Sequence, residues 1–149
     1  MEILRSFKAL TDKGANVKAT DNHEFTALHR AARSGHLVCV QVLLKCGAEI
    51  EATGYRSFRP LHAAVKYSHC STVEFLLIKG ASIDASADND GCTPLNIAIQ
   101  QHKVDVVKLL LKRGANSSLP EDKRTPLKLA AQLEKKEFEK LLKDAGAKD

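Results

Sequence analysis

Tryptophan is absent from this chain of 149 residues, methionine occurs once, and five phenylalanines and two tyrosines are all the aromatics it has. Hydrophobic residues still make up 44%, so Leu, Val, Ile and Ala must fill the interior. That filling suits thin stacked layers better than one large globular centre. No stretch approaches the roughly 18 consecutive apolar residues of a membrane-crossing helix, so no membrane insertion is expected. Met1 to Ser6 is already amphipathic rather than signal-like, and the expectation is an intracellular protein, cytoplasmic or nuclear.

Chemistry-bearing motifs are missing too. The chain has no Gly-rich phosphate loop, no H-E-x-x-H and no G-x-S-x-G. The acidic pair Asp88 and Asp90 falls where turn residues are expected, because a short carboxylate readily bonds its own backbone two residues on. Cys39, Cys46, Cys70 and Cys92 form no C-x-x-C pair, which favours free thiols over a zinc site. No catalytic residue, metal or cofactor is expected.

What the chain does have is a repeat. Thr26-Ala27-Leu28-His29-Arg30-Ala31 returns as Arg59-Pro60-Leu61-His62-Ala63-Ala64, Thr93-Pro94-Leu95-Asn96-Ile97-Ala98 and Thr125-Pro126-Leu127-Lys128-Leu129-Ala130, with starts 33, 34 and 32 residues apart. A second marker, Gly-Ala, stands at Gly14, Gly47, Gly80, Gly114 and Gly146, and each start precedes its Gly-Ala by 21 residues. From each Gly-Ala to the next start the counts are 12, 12, 13 and 11. Constant spans are packed elements and variable ones are surface connections, and a period this long means a solenoid or array.

The pattern resembles the ankyrin repeat, with the first full copy closest: Leu28-His29, Ala31-Ala32, Gly35-His36, Val42-Leu43-Leu44 and Gly47-Ala48. The resemblance implies an all-α repeat solenoid in which each unit is a β-hairpin-like loop followed by two antiparallel helices. It also implies that His29 and His62 bond the neighbouring loop backbone, a structural role. The expected units are a half repeat over 1–19, repeats over 20–52, 53–85 and 86–118, and a fourth repeat with C-terminal cap over 119–149. Helices are expected at about 26–34, 36–46, 59–67, 69–79, 93–101, 103–113, 125–133 and 135–145, and a lone second helix at 2–11, carrying Ile3, Leu4, Phe7 and Leu10 on one face. That lone helix is either an abbreviated cap or the remnant of a longer array.

Local departures grade the repeats. Arg59 replaces the capping threonine and Ser68 the turn glycine, which predicts a softer second repeat. Gly91 is a hairpin-tip glycine whose places elsewhere are taken by Glu24, Ser57 and Lys123, so different turn geometry or strain is expected there. Lys136 and Glu139 stand where earlier repeats carry apolar stacking residues, as a terminal cap requires.

Function in this family implies contact through hairpin tips and the exposed, concave side of each first helix. At those positions the first two repeats present Phe25, Arg33, Tyr55, Arg56, Phe58, Lys66 and Tyr67, whereas the third and fourth present mostly amides and charges. Four of the seven aromatics fall on this surface, and Phe7, Phe75 and Phe138 fall at core positions. Aromatics with arginine are the composition of interface hot spots. Residues 1–66 hold ten Lys or Arg against six Asp or Glu, and residues 67–149 thirteen against twelve, so the basic excess lies beside that cluster. The expected partner is a protein or peptide with apolar anchors and acidic residues. The alternative is a basic and aromatic surface for single-stranded nucleic acid, motivated by a pI near 9.1.

Overall fold

Each copy of the six-residue marker opens a short helix: its first residue is extended and precedes the first turn, in two copies its hydroxyl caps that turn, and in three copies a proline with its preset φ takes the first helical place. The computed structural model describes residues 5, 9, 12, 14–88, 91–118 and 125–147. The first helices are α1 (Ala27–Arg33), α3 (Pro60–Lys66), α5 (Pro94–Gln100) and α7 (Pro126–Gln132). The second helices are α2 (Leu37–Lys45), α4 (Cys70–Ile78), α6 (Val104–Lys112) and α8 (Lys136–Asp144). The Thr93 and Thr125 hydroxyls accept the N–H groups of Asn96 and Lys128, each at 3.3 Å. The helix expected over residues 2–11 lies, apart from residues 5 and 9, outside the described residues, as do Phe7, Asp90 and Lys123.

The architecture is two layers. α1, α3, α5 and α7 pack side by side in order, α2, α4, α6 and α8 do the same, and each first helix packs on its own second helix. Matching leucines make the thin core: Leu28, Leu61, Leu95 and Leu127 from the first helices, and Leu43, Leu76, Leu110 and Leu142 from the second, all buried. Burying each such side chain stabilises by about 1.5–3 kcal/mol. Val40, Val73 and Val107 are fully buried between neighbours, and Glu139 at the same register in α8 is half-exposed. Of the aromatics expected in the core, Phe138 is buried. Phe75 is only half-buried, its ring 5.6 Å from the Lys79 ammonium. In place of strands, the described loops carry isolated bridges, Thr20 to Thr26 and Ala87 to Cys92.

The Gly-Ala marker is a helix stop. After α2, Gly47 N–H bonds Leu44 O at 3.1 Å and Ala48 N–H bonds Leu43 O at 2.9 Å, the pairing of a Schellman end. Gly47 has φ +89, and a Cβ there would meet nothing within 4 Å. Backbone conformation, not space, therefore demands glycine. The same pairing closes the first helices, with the left-handed place filled by Gly35, Ser68, His102 and Glu134. Ser68 is thus not peculiar in its conformation, contrary to expectation, since three repeats of four hold a side-chain-bearing residue there.

Ser68 is peculiar in burial: its hydroxyl is enclosed without a hydrogen-bond partner among the described residues. Arg59 likewise caps α3 without a side-chain bond to the helix, pairing with Glu51 at 3.1 Å while its Nε stays buried and unbonded. Ser68→Gly is expected to raise the unfolding free energy by about 1 kcal/mol, since it relieves a left-handed L-residue and removes an unsatisfied hydroxyl, less the added freedom of the unfolded chain. Urea denaturation of the two proteins checks this; a variant less stable than the parent contradicts it.

Candidate functional site

The loops before α1, α3 and α5 form a row in which each is tied to the next by a backbone bond. In the first loop the Asp21 carboxylate accepts the N–H groups of His23 at 2.8 Å and Phe25 at 3.0 Å, and pairs with the Arg30 guanidinium. That guanidinium holds the exposed Asp21 carboxyl down to about 2. Arg30 also lies 5.6 Å over the Phe25 ring. The ring leans on Gly54 of the next loop, where an added Cβ would fall 2.3 Å from it. This close approach explains a glycine whose φ does not require one.

The second loop makes a 3₁₀ turn at Tyr55–Ser57, with Arg56 and Ser57 both left-handed at φ 56 and 58. Glu24 at φ 63 and Gly91 at φ 65 hold the matching place in the flanking loops. The left-handed φ is shared at that place, where Glu24 and Ser57 carry the strain of a Cβ, but the turns differ as expected. Glu24 N–H bonds Asp21 O at 2.9 Å and Gly91 N–H bonds Asp88 O at 3.4 Å, whereas the second loop closes one residue later, from Phe58 N–H to Tyr55 O at 3.3 Å. Backbone bonds join neighbours: Tyr55 N–H to His23 O at 3.1 Å, and Asp88 N–H to Arg56 O at 2.8 Å. The Arg56 side chain stacks over Tyr55 at 5.3 Å and pairs with Asp88 at 3.8 Å.

Beneath the row, His29 and His62 hold loop to helix as expected. The Nδ1 atoms accept the N–H groups of Thr26 at 3.1 Å and Arg59 at 3.0 Å. Each proton therefore sits on Nε2, which donates to the next loop, to Phe58 O from His29 and to Ala85 O from His62, both at 2.9 Å. Burial lowers the pKa of both rings, that of His62 from 6.5 to about 4, against the smaller opposing pull of the carbonyl bonds.

The row and the ends of α1 and α3 enclose a depression of about 290 Å³. All seven residues singled out by register line it: Phe25, Arg33, Tyr55, Arg56, Phe58, Lys66 and Tyr67. His29, Arg30, Ala63 and Asp88 complete the wall and were not anticipated. Tyr55 is 57% exposed and Tyr67 42%, with the Arg33 guanidinium 5.1 Å over the Tyr67 ring. The two phenylalanines differ. Phe25 and Phe58 are half-buried and meet edge to face at 6.2 Å. Phe58 also stacks on His62 at 5.3 Å and packs on the core. Phe58, placed by register on the surface, thus serves the core as well.

A larger depression of about 380 Å³ lies in the second-helix layer among Gln41, Leu44, Lys45, Phe75 and Lys79. Its single ring already faces an ammonium, so volume is the poorer guide to recognition here than the number of exposed rings. Among the described residues no disulfide joins Cys39, Cys46, Cys70 and Cys92, all partly buried. Among the described residues no group of three or more His, Cys, Asp or Glu is placed to hold a metal ion, and no helix is long and apolar enough to cross a membrane.

No curated protein sequence matches the chain. The family pattern described as ankyrin repeats (3 copies) matches residues 2–87 and again 61–149. With helix pairs stacked in two layers, loops bonded side by side and histidines bridging one repeat to the next, the chain belongs to the ankyrin repeat family.

Proposed function

We propose that this protein is a non-catalytic interaction module that captures a partner protein or peptide on the loop and first-helix side of its first two repeats. Ankyrin repeats are generally protein-protein interaction modules. One observation supports the finer reading: seven side chains chosen by repeat register line a single depression with two exposed tyrosines. Rigid aromatics bury much area at little entropic cost, which is why they dominate interfaces.

Single-stranded nucleic acid fits the same surface less well. Asp88 lines the depression and pairs with Arg56, and Asp21 neutralises Arg30. Too few cations remain to follow a phosphate backbone.

Capture from cell lysate by the parent chain, compared with point variants, tests the reading. Tyr55→Ala is expected to weaken the captured partner by about 1–3 kcal/mol without altering the fold. Gln100→Ala, at the same register as Lys66 in the third repeat, is expected to be neutral. A partner held equally by both variants would place the surface elsewhere.

A further inference from the structure

We propose, resting on the interaction reading above, that the depression selects an acidic peptide, seating one apolar side chain against Tyr55 and Tyr67 and one adjacent carboxylate between Arg33 and Lys66. Three of the rings already face a guanidinium of the chain itself, Arg30 over Phe25, Arg33 over Tyr67 and Arg56 over Tyr55. A cage of bare aromatic faces would attract a cationic ligand. Here those places are taken, and a lysine or arginine from a partner meets like charge.

The charges of the site divide into two kinds. Arg30 and Arg56 are matched by Asp21 and Asp88. No ion pair joins Arg33 or Lys66 to a carboxylate among the described residues. Both side chains are exposed and close the last turns of α1 and α3. They share one register, seven residues after Thr26 and Arg59, on helices that pack side by side. Gln100 and Gln132 hold that register in α5 and α7, so the unmatched pair exists only beside the two tyrosines. Arg33, stacked on Tyr67, is already oriented, which lowers the entropy lost when a carboxylate arrives. Such charge complementarity sets which partner is accepted more than how tightly apolar area alone would bind it.

The pair Arg33 and Lys66 is therefore the specificity determinant, and the tyrosines are the anchor. Selection of a random peptide display library on the purified chain, on Tyr55→Ala and on the double variant Arg33→Glu, Lys66→Glu separates these roles. Circular dichroism confirms that each variant is folded. The parent is expected to enrich peptides with Asp or Glu within two residues of an aromatic or branched aliphatic residue. Those peptides should bind the double variant at least about tenfold more weakly, and the double variant should enrich Lys or Arg instead. Parent peptides without acidic enrichment, or acidic peptides indifferent to the double reversal, overturn this inference and leave the interaction reading standing. No enrichment, or peptides indifferent to Tyr55→Ala, overturns both. So does preferential retention of an oligothymidylate probe at about 0.15 M salt, where screening has already weakened phosphate contacts.

Discussion

Lowering the pH from neutral to about 4 is expected to remove roughly 3 kcal/mol of folding stability through His62 alone. The folded chain holds that ring neutral, its pKa pushed from 6.5 to about 4 by burial. Below 6.5 the unfolded chain takes up a proton there that the folded chain refuses, so the unfolded state gains as the pH falls. The loss begins near 6.5 and is complete once the pH passes below about 4. His29, shifted the same way by burial, adds to it. Asp21 acts later: its carboxyl is held at about 2 rather than 3.8, so its contribution is present above 3.8 and fades only as the pH falls toward 2. A domain of this size has about 5–15 kcal/mol in total, so softening well above the carboxylate range should be plain in urea denaturation at stepped pH. His62→Asn imports the residue that the third repeat carries in Asn96, and should be less stable at neutral pH but flatter below it. A parent whose stability is level from pH 7 to about 4.5 would contradict the assignment.

Phe58→Ala is expected to cost about 2–3 kcal/mol of stability, less than the 3–5 of a fully buried phenylalanine because the ring is half-exposed. The ring is a keystone of the loop row. It meets Phe25 on one side and His62 on the other, while its backbone carbonyl accepts the His29 proton. Tyr55→Ala, at a loop tip, should stay within about 0.5 kcal/mol of the parent. Paired urea denaturation curves decide the point, and equal stabilities for Phe58→Ala and the parent would show that the ring is surface decoration. The contrast governs how binding data are read. Weakened binding by Phe58→Ala mixes lost contact with lost fold, whereas weakened binding by Tyr55→Ala reports contact.

The helices were legible because two markers at constant spacing fix register, and a marker such as Gly47 encodes a conformation no other residue adopts cheaply. Seven of the residues that line the depression were legible for the same reason: register places a side chain on a face wherever repeats stack in order. Arg30 and Asp88 were not, since each joins the site through an ion pair across a loop, with Asp21 and with Arg56, and spacing carries no sign of such pairs. Nor was the left-handed Arg56, because composition signals positive φ through glycine and asparagine and is silent when neighbouring backbone bonds impose it. The division of labour between Phe58 and Tyr55 was hidden as well. Both occupy loop positions, and only packing tells that one ring turns inward to His62 while the other remains more than half exposed.

The central claim, that the loop row and first helices of the first two repeats receive the partner, is tested most directly by amide NMR of the whole chain titrated with a captured peptide. Shifts and line broadening concentrated at Phe25, Arg33, Tyr55 to Phe58, Lys66 and Tyr67 are predicted. Perturbation centred instead on Gln41 to Lys45 and Phe75 to Lys79, in the second-helix layer, would contradict it.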